Sequence, residues 1–131
     1  MVRVLVLDMD CASRDLLVEA LSLEDCTVGV VGRAEEALDR VKQGGVDVLV
    51  AEVHMPDGLG WNLFPRVHAA DPRVLVVAMT SDDSWETSRK TRAMGEPLFF
   101  YAIKPLDMKE IRRVVCCAGD WRRKHLFQGA K

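Results

Sequence analysis

The chain has 131 residues, 49% of them apolar, enough for one domain to bury its own core without disulfides or a structural metal. Charged residues make up 29% and the formal net charge is −2, so the charge balance announces neither nucleic acid nor a membrane surface nor an acidic tail. The four cysteines, Cys11, Cys26, Cys116 and Cys117, form no C-x-x-C pair, and the longest apolar runs are strand-sized rather than membrane-sized. No charged leader precedes a long apolar run, so free thiols in a reducing, cytoplasmic setting with no membrane contact are expected.

In chain order, Val2 to Leu7 is a leucine and β-branched run that stops at acids, as a strand buried on both faces does. A helix follows, with Ser13 as its expected cap and Leu16, Leu17, Ala20 and Leu21 on one apolar face. Thr27 to Val31 is the second strand. Ala34, Ala37, Leu38 and Val41 mark a second helix that ends at Gly44-Gly45. Val46 to Val53 is the third strand, followed by a turn at Met55-Pro56-Asp57-Gly58 and a helical stretch with Leu63, Phe64 and Val67. Pro65 within that stretch removes a backbone donor, so a kink or a late start is expected.

Val74 to Met79 is the fourth strand, Trp85 to Met94 a mostly polar fourth helix closed by Gly95, and Leu98 to Ile103 the fifth strand, ending at Lys104-Pro105. Asp107, three residues before Glu110, caps a fifth helix faced by Met108, Ile111, Val115 and Ala118. Beyond Gly119 no clear period remains, so residues 1–118 form the domain and 119–131 a helix extension or linker. The Arg112-Arg113 and Arg122-Arg123-Lys124 clusters read as a solvated face rather than a nucleic-acid patch.

Five apolar strands alternating with five helices imply an α/β domain, a doubly wound parallel sheet covered on both faces by right-handed crossovers. Ligands in such sheets bind beyond the carboxyl ends of the strands. Those positions hold Asp8, Met9 and Asp10 after the first strand, Glu52 on the third, Thr80 and Ser81 after the fourth, and Lys104 after the fifth. Each alone is an ordinary surface or turn group; together they supply what a phosphoryl group and a hard cation need.

The segments VLVLDMD, VDVLVAEVHMP, the Thr80 position and YAIKP, in that order, resemble the signature of response-regulator receiver domains, over residues 1 to about 118. The resemblance implies a flavodoxin-like five-stranded sheet of order 2-1-3-4-5 and a non-enzymatic signalling module of a two-component or phosphorelay system. It implies that Asp8 belongs to the acidic pair that holds magnesium, that Thr80 and Lys104 contact the phosphoryl group, and that Tyr101 is the switch aromatic. Lys104-Pro105 resembles the family's frequently cis peptide. Protein partners follow from the same resemblance: a histidine kinase, a phosphorelay protein or an output domain, with a homodimer through the fourth and fifth helices as a further option and no nucleic acid contact by this domain.

Two positions depart from the pattern. Met9 stands where the second acid, a direct metal ligand, is expected, and Glu52 stands where the acceptor aspartate is expected. The first replaces a hard oxygen by a soft thioether, so no cofactor and weak or absent magnesium binding are expected, with Asp8, Glu52 and the His54 backbone the only candidate ligands. The second lengthens the acid by one methylene and directs it toward the place of the phosphoryl group and toward Lys104. A pseudo-receiver working without phosphorylation is the resulting expectation. The alternative is a haloacid-dehalogenase-like phosphatase, in which Asp8-Met9-Asp10 would supply nucleophile and acid/base, with Thr80 and Lys104 in support. Cys11-Ala12 replaces the usual glycine-threonine there, and no acidic pair follows Lys104 at suitable spacing. A flavodoxin-like cofactor binder would need a glycine-rich loop after the first strand, and none is present.

Overall fold

A computed structural model describes residues 1–22, 25–54, 63–81 and 98–129, and in these segments the β-branched runs are strands and the 3.6-period runs are helices. The elements are β1 (Val2–Leu7), α1 (Cys11–Leu21), β2 (Cys26–Val31), α2 (Ala34–Gln43), β3 (Val48–Glu52), α3 (Leu63–Ala70), β4 (Leu75–Thr80), β5 (Leu98–Ile103) and α4 (Met108–Gly129). All strand pairs are parallel, in the order β2-β1-β3-β4-β5. Four helices are described; the expected helix at Trp85 to Met94 and the turn at Met55 to Gly58 lie outside the described residues.

Period-two alternation sends each strand's side chains to two cores. Leu5, Leu7, Leu49, Ala51, Val76 and Ala78 pack with Ala34, Ala37, Leu38 and Val41 of α2 and Leu63, Phe64 and Val67 of α3. Val4, Val6, Val48, Val50, Val77 and Met79 face Leu17 and Leu21 of α1 and Ile111, Val115 and Ala118 of α4. Because β3 and β4 are buried at every position, their sequence is a continuous apolar run, and only the flanking turns disclose their ends.

Several boundaries differ from expectation for local reasons. Asp10, not Ser13, caps α1: its extended backbone lets the carboxylate accept from Ala12 N at 3.1 Å, while Ser13 Oγ donates to the same side chain at 2.8 Å. Leu16, expected on the apolar face, is 52% exposed; Leu17, Ala20 and Leu21 carry the packing. β3 starts at Val48 rather than Val46 because Asp47 is committed to bonds with Arg3, and β4 runs from Leu75 to Thr80 rather than Val74 to Met79. Gly44 and Gly45 both have positive φ (82° and 90°), the left-handed backbone that ends α2. Pro65 lies in the first turn of the described part of α3; the residues before Leu63, where a late start would show, lie outside the described residues. Asp107 caps α4 as expected, accepting from Lys109 N at 3.0 Å and Glu110 N at 3.3 Å.

The last helix continues well past Gly119, through to Gly129, and Arg122 is 5% exposed rather than part of a solvated basic face. No helix among the described residues is long and apolar enough to cross a membrane. Gly119 allows α4 to lie directly on β1, since a Cβ there would overlap the Cγ2 of Val2. Gly119→Ala is therefore expected to destabilise the fold by about 1–3 kcal/mol through overpacking, outweighing a gain in helix propensity of roughly 1 kcal/mol. The denaturant midpoint measures this, and an unchanged midpoint would contradict so close a packing of α4 on Val2.

Candidate functional site

The in-register parallel ladders bring the strand ends to one rim: Leu7 pairs with Ala51, Glu52 with Met79, and Thr80 with Ile103. Lys104 N donates to Thr80 O at 2.7 Å, so the residue after β5 is fixed against the end of β4. Asp8 and Glu52 are in phase with Val6 and Val50, on the side of the sheet covered by α1 and α4.

Lys104 Nζ donates to Asp8 Oδ2 at 2.8 Å and lies 3.0 Å from Glu52 Oε2. The three side chains are 16%, 3% and 9% exposed, in the order Lys104, Asp8, Glu52, which places one ammonium and two carboxylates out of bulk water. The angle of the Glu52 contact is poor for a hydrogen bond, leaving Oε2 without one, so that attraction is chiefly coulombic. The second oxygen of each acid takes a backbone donor two residues on: Asp10 N to Asp8 Oδ1 at 2.9 Å and His54 N to Glu52 Oε1 at 3.2 Å. Burial disfavours the ammonium of Lys104, but the hydrogen bond to Asp8 and the charge attraction of Glu52 and Asp8 outweigh it and raise its pKa above the ordinary lysine value.

Above this triad opens a crevice of about 320 Å³ lined by Asp8, Met9, Asp10, Glu52, His54, Ser81 and Lys104. Met9 is 56% exposed at its wall. Thr80 is fully buried below the rim, and Tyr101 is half-buried against the core shared with α2 and α3. Asp10 is exposed and spent on capping α1; its bond from Ser13 holds its carboxyl below the usual range even against some desolvation. That leaves it poorly suited to the acid/base role of the phosphatase reading. The sequence pointed to the Glu52–Lys104 approach but not to the shorter Asp8–Lys104 bond. Its signal was Met9, which leaves Asp8 without the second acid of the pair and with Lys104 as its charged partner.

The Response regulator receiver domain family matches residues 4–116 of the chain. The chain belongs to this family. The DNA-binding transcriptional regulator NtrC of Bradyrhizobium sp. (strain RP501 Parasponia) is 32% identical over 112 residues, covering 86% of this receiver chain and 23% of that protein. The chain thus spans about a quarter of the length of that curated relative. A CheY-like response regulator receiver domain protein from Methanospirillum hungatei JF-1 superposes with a TM-score of 0.86 at 22% identity, over 95% of this chain and 98% of that one. The beryllofluoride-activated NtrC4 receiver domain dimer superposes with a TM-score of 0.84 at 25% identity, over 93% and 99%. The receiver fold and family follow from these matches; nothing among them resembles the haloacid-dehalogenase alternative.

Magnesium, implied by the receiver resemblance, fits this donor set poorly. Met9 offers sulfur where a hard cation needs oxygen, and the nearest oxygens of Asp8 and Glu52 already converge on Lys104. Among the described residues no group of three or more His, Cys, Asp or Glu is placed to hold a metal.

The raised pKa of Lys104 sets a pH dependence. A group whose folded pKa exceeds its unfolded value stabilises fully below the unfolded value, about 10.4 for lysine, and loses that contribution as pH rises through the folded value. Lys104→Met, which leaves two buried carboxylates without a counter-charge, should cost about 3–5 kcal/mol near neutrality. The deficit relative to wild type should shrink above about pH 10.4. Urea unfolding of both proteins at neutral and alkaline pH measures it, and a pH-independent deficit would contradict the ion-pair assignment.

Proposed function

We propose that this receiver domain is a pseudo-receiver, a protein-interaction switch in two-component or phosphorelay signalling that works without phosphorylation. The observation that carries the proposal is the position of Lys104 Nζ, 3.0 Å from Glu52 and 2.8 Å from Asp8. In the receiver pattern, an acidic pair and an acceptor aspartate around one lysine leave a surplus of two negative charges for a divalent cation to relieve. With Met9 in the pair, that surplus falls to one.

Glu52 takes the acceptor's place with a longer arm. Its carboxylate is already engaged by Lys104 and by His54 N, in the manner of a phosphoryl group held by charge-assisted contacts. A displacement of about 1 Å from an attacking geometry can cost roughly 100-fold in rate, so transfer to Glu52 is very slow. Thr80 and Tyr101 take the parts of the phosphoryl-contact hydroxyl and the switch aromatic, held near one signalling state by the triad.

The partner is a protein: a histidine kinase, a phosphorelay protein or an output domain. Similarity to one quarter of a DNA-binding transcriptional regulator supports an attached or associated output, with nucleic acid contacted by that output and not by this domain. Residues 1–118 form the receiver and 119–131 the extension toward it. Similarity to a receiver domain dimer supports self-association, for which the expected fourth helix and the C-terminal helix are the proposed surface. No cofactor is required, and the setting is cytoplasmic.

Incubation of the purified chain with magnesium and acetyl phosphate, read by intact mass, tests the reading. No phosphoryl adduct is expected for the wild type, and Met9→Asp combined with Glu52→Asp should restore magnesium-dependent labelling. Rapid stoichiometric labelling of the wild type at Glu52 would end the proposal.

A further inference from the structure

At the opposite rim of the sheet lies a second charged cluster, independent of the crevice. Asp47, just before β3, is 9% exposed. Its carboxylate accepts from Arg3 N at 2.8 Å, Arg3 Nε at 3.2 Å and Arg3 NH2 at 3.0 Å. Arg122 of α4 then reaches the same carboxylate, Nε to Oδ1 at 2.7 Å. Its N–H does not point at the oxygen, so this contact is an ion pair rather than a hydrogen bond. The guanidinium also donates to the carbonyl of Arg73, whose own backbone N–H is held by Asp71 at 3.0 Å. One arginine near the end of the chain is thereby tied to the segments entering β1, β3 and β4.

The position of this arginine matters. Ile111, Val115, Ala118 and Arg122 follow at spacings of four, three and four residues, so Arg122 continues the buried face of α4 after the apolar side chains stop. The family match ends at residue 116, whereas the helix runs to Gly129. Over 22 residues it is about 33 Å long, and Arg122 ties its later turns to the segments that precede β3 and β4. A planar guanidinium held at two points fixes both the rotation and the axial position of the helix that carries it, which an apolar contact or a lysine does not. Arg3 keeps Asp47 paired, so opening the contact leaves the buried Arg122 guanidinium, and not the carboxylate, without its counter-charge.

We propose that the Arg122–Asp47 contact is a latch that fixes the direction in which the C-terminal helix leaves the receiver, making α4 beyond Ala118 a rigid lever rather than a loose linker. Arg3 holds the Asp47 carboxylate in place for Arg122, and the Arg73 carbonyl sets the orientation of the guanidinium. The latch lies on the sheet edge remote from Lys104, so it acts on the exit of the chain and not on the crevice.

Hydrogen exchange on the full chain, read residue by residue, tests the latch. In Arg122→Met, amide protection over residues 119–129 should fall about tenfold or more, with β1, β3 and β4 little changed. Arg122→Lys, which keeps the charge but not the two-point geometry, should show most of the same local loss. Lys124→Met, exposed on the same helix, should leave protection unchanged. Unaltered protection over 119–129 in Arg122→Met would overturn the latch. So would a loss spread evenly over the whole domain, or a failure to fold, since either would make Arg122 a contributor to global stability.

Discussion

A single ammonium held between two carboxylates governs the ligand rim of this sheet. With Lys104 at hydrogen-bond distance from Asp8 and 3.0 Å from Glu52, three buried charged groups satisfy one another, and each acid is completed by a backbone N–H from the loop that follows it. Desolvation makes such a set costly to open: an acid deprived of its lysine would remain buried and charged. The ends of β1, β3 and β5 are thereby tied together across the rim, in addition to the Lys104 N to Thr80 O bond that joins β5 to β4.

The same triad explains why the two departures from the receiver pattern belong together. Glutamate at position 52 alone would add reach while leaving a full acidic pair to compete for a cation. Methionine at position 9 alone would remove a ligand while leaving an acceptor of ordinary length. Together they leave Lys104 as the cation between the two carboxylates, 2.8 Å from Asp8 and 3.0 Å from Glu52. The two rims of the sheet carry separate charged clusters: Asp8, Glu52 and Lys104 at one, Arg3, Asp47 and Arg122 at the other.

Much of this was legible in the sequence, and the failures are instructive. The strands announced themselves because parallel strands buried on both faces must be apolar throughout, as Val48 to Ala51 and Leu75 to Met79 are. The strand-end residues could be collected because the fold aligns those ends. The choice of cap for α1 was not legible: Asp10 and Ser13 are both good caps, and only the backbone path after β1 decides between them. Arg122 was misread as solvated because nothing local distinguishes an arginine that meets an aspartate 75 positions earlier in the chain from one that meets water. Long-range ion pairs are a property of topology, and a periodicity count does not contain them. The same holds for Asp8, whose bond to Lys104 spans 96 positions.

Magnesium binding measures the central claim most directly, since the account has Lys104 rather than a divalent cation neutralising Asp8 and Glu52. In calorimetric titration of the purified chain, no saturable binding is expected up to roughly 10 mM magnesium, and Met9→Asp should bring binding into the range of about 1 mM or tighter. Saturable binding by the wild-type chain with a Kd below about 1 mM, lost on Glu52→Gln, would contradict the lysine-bridged site.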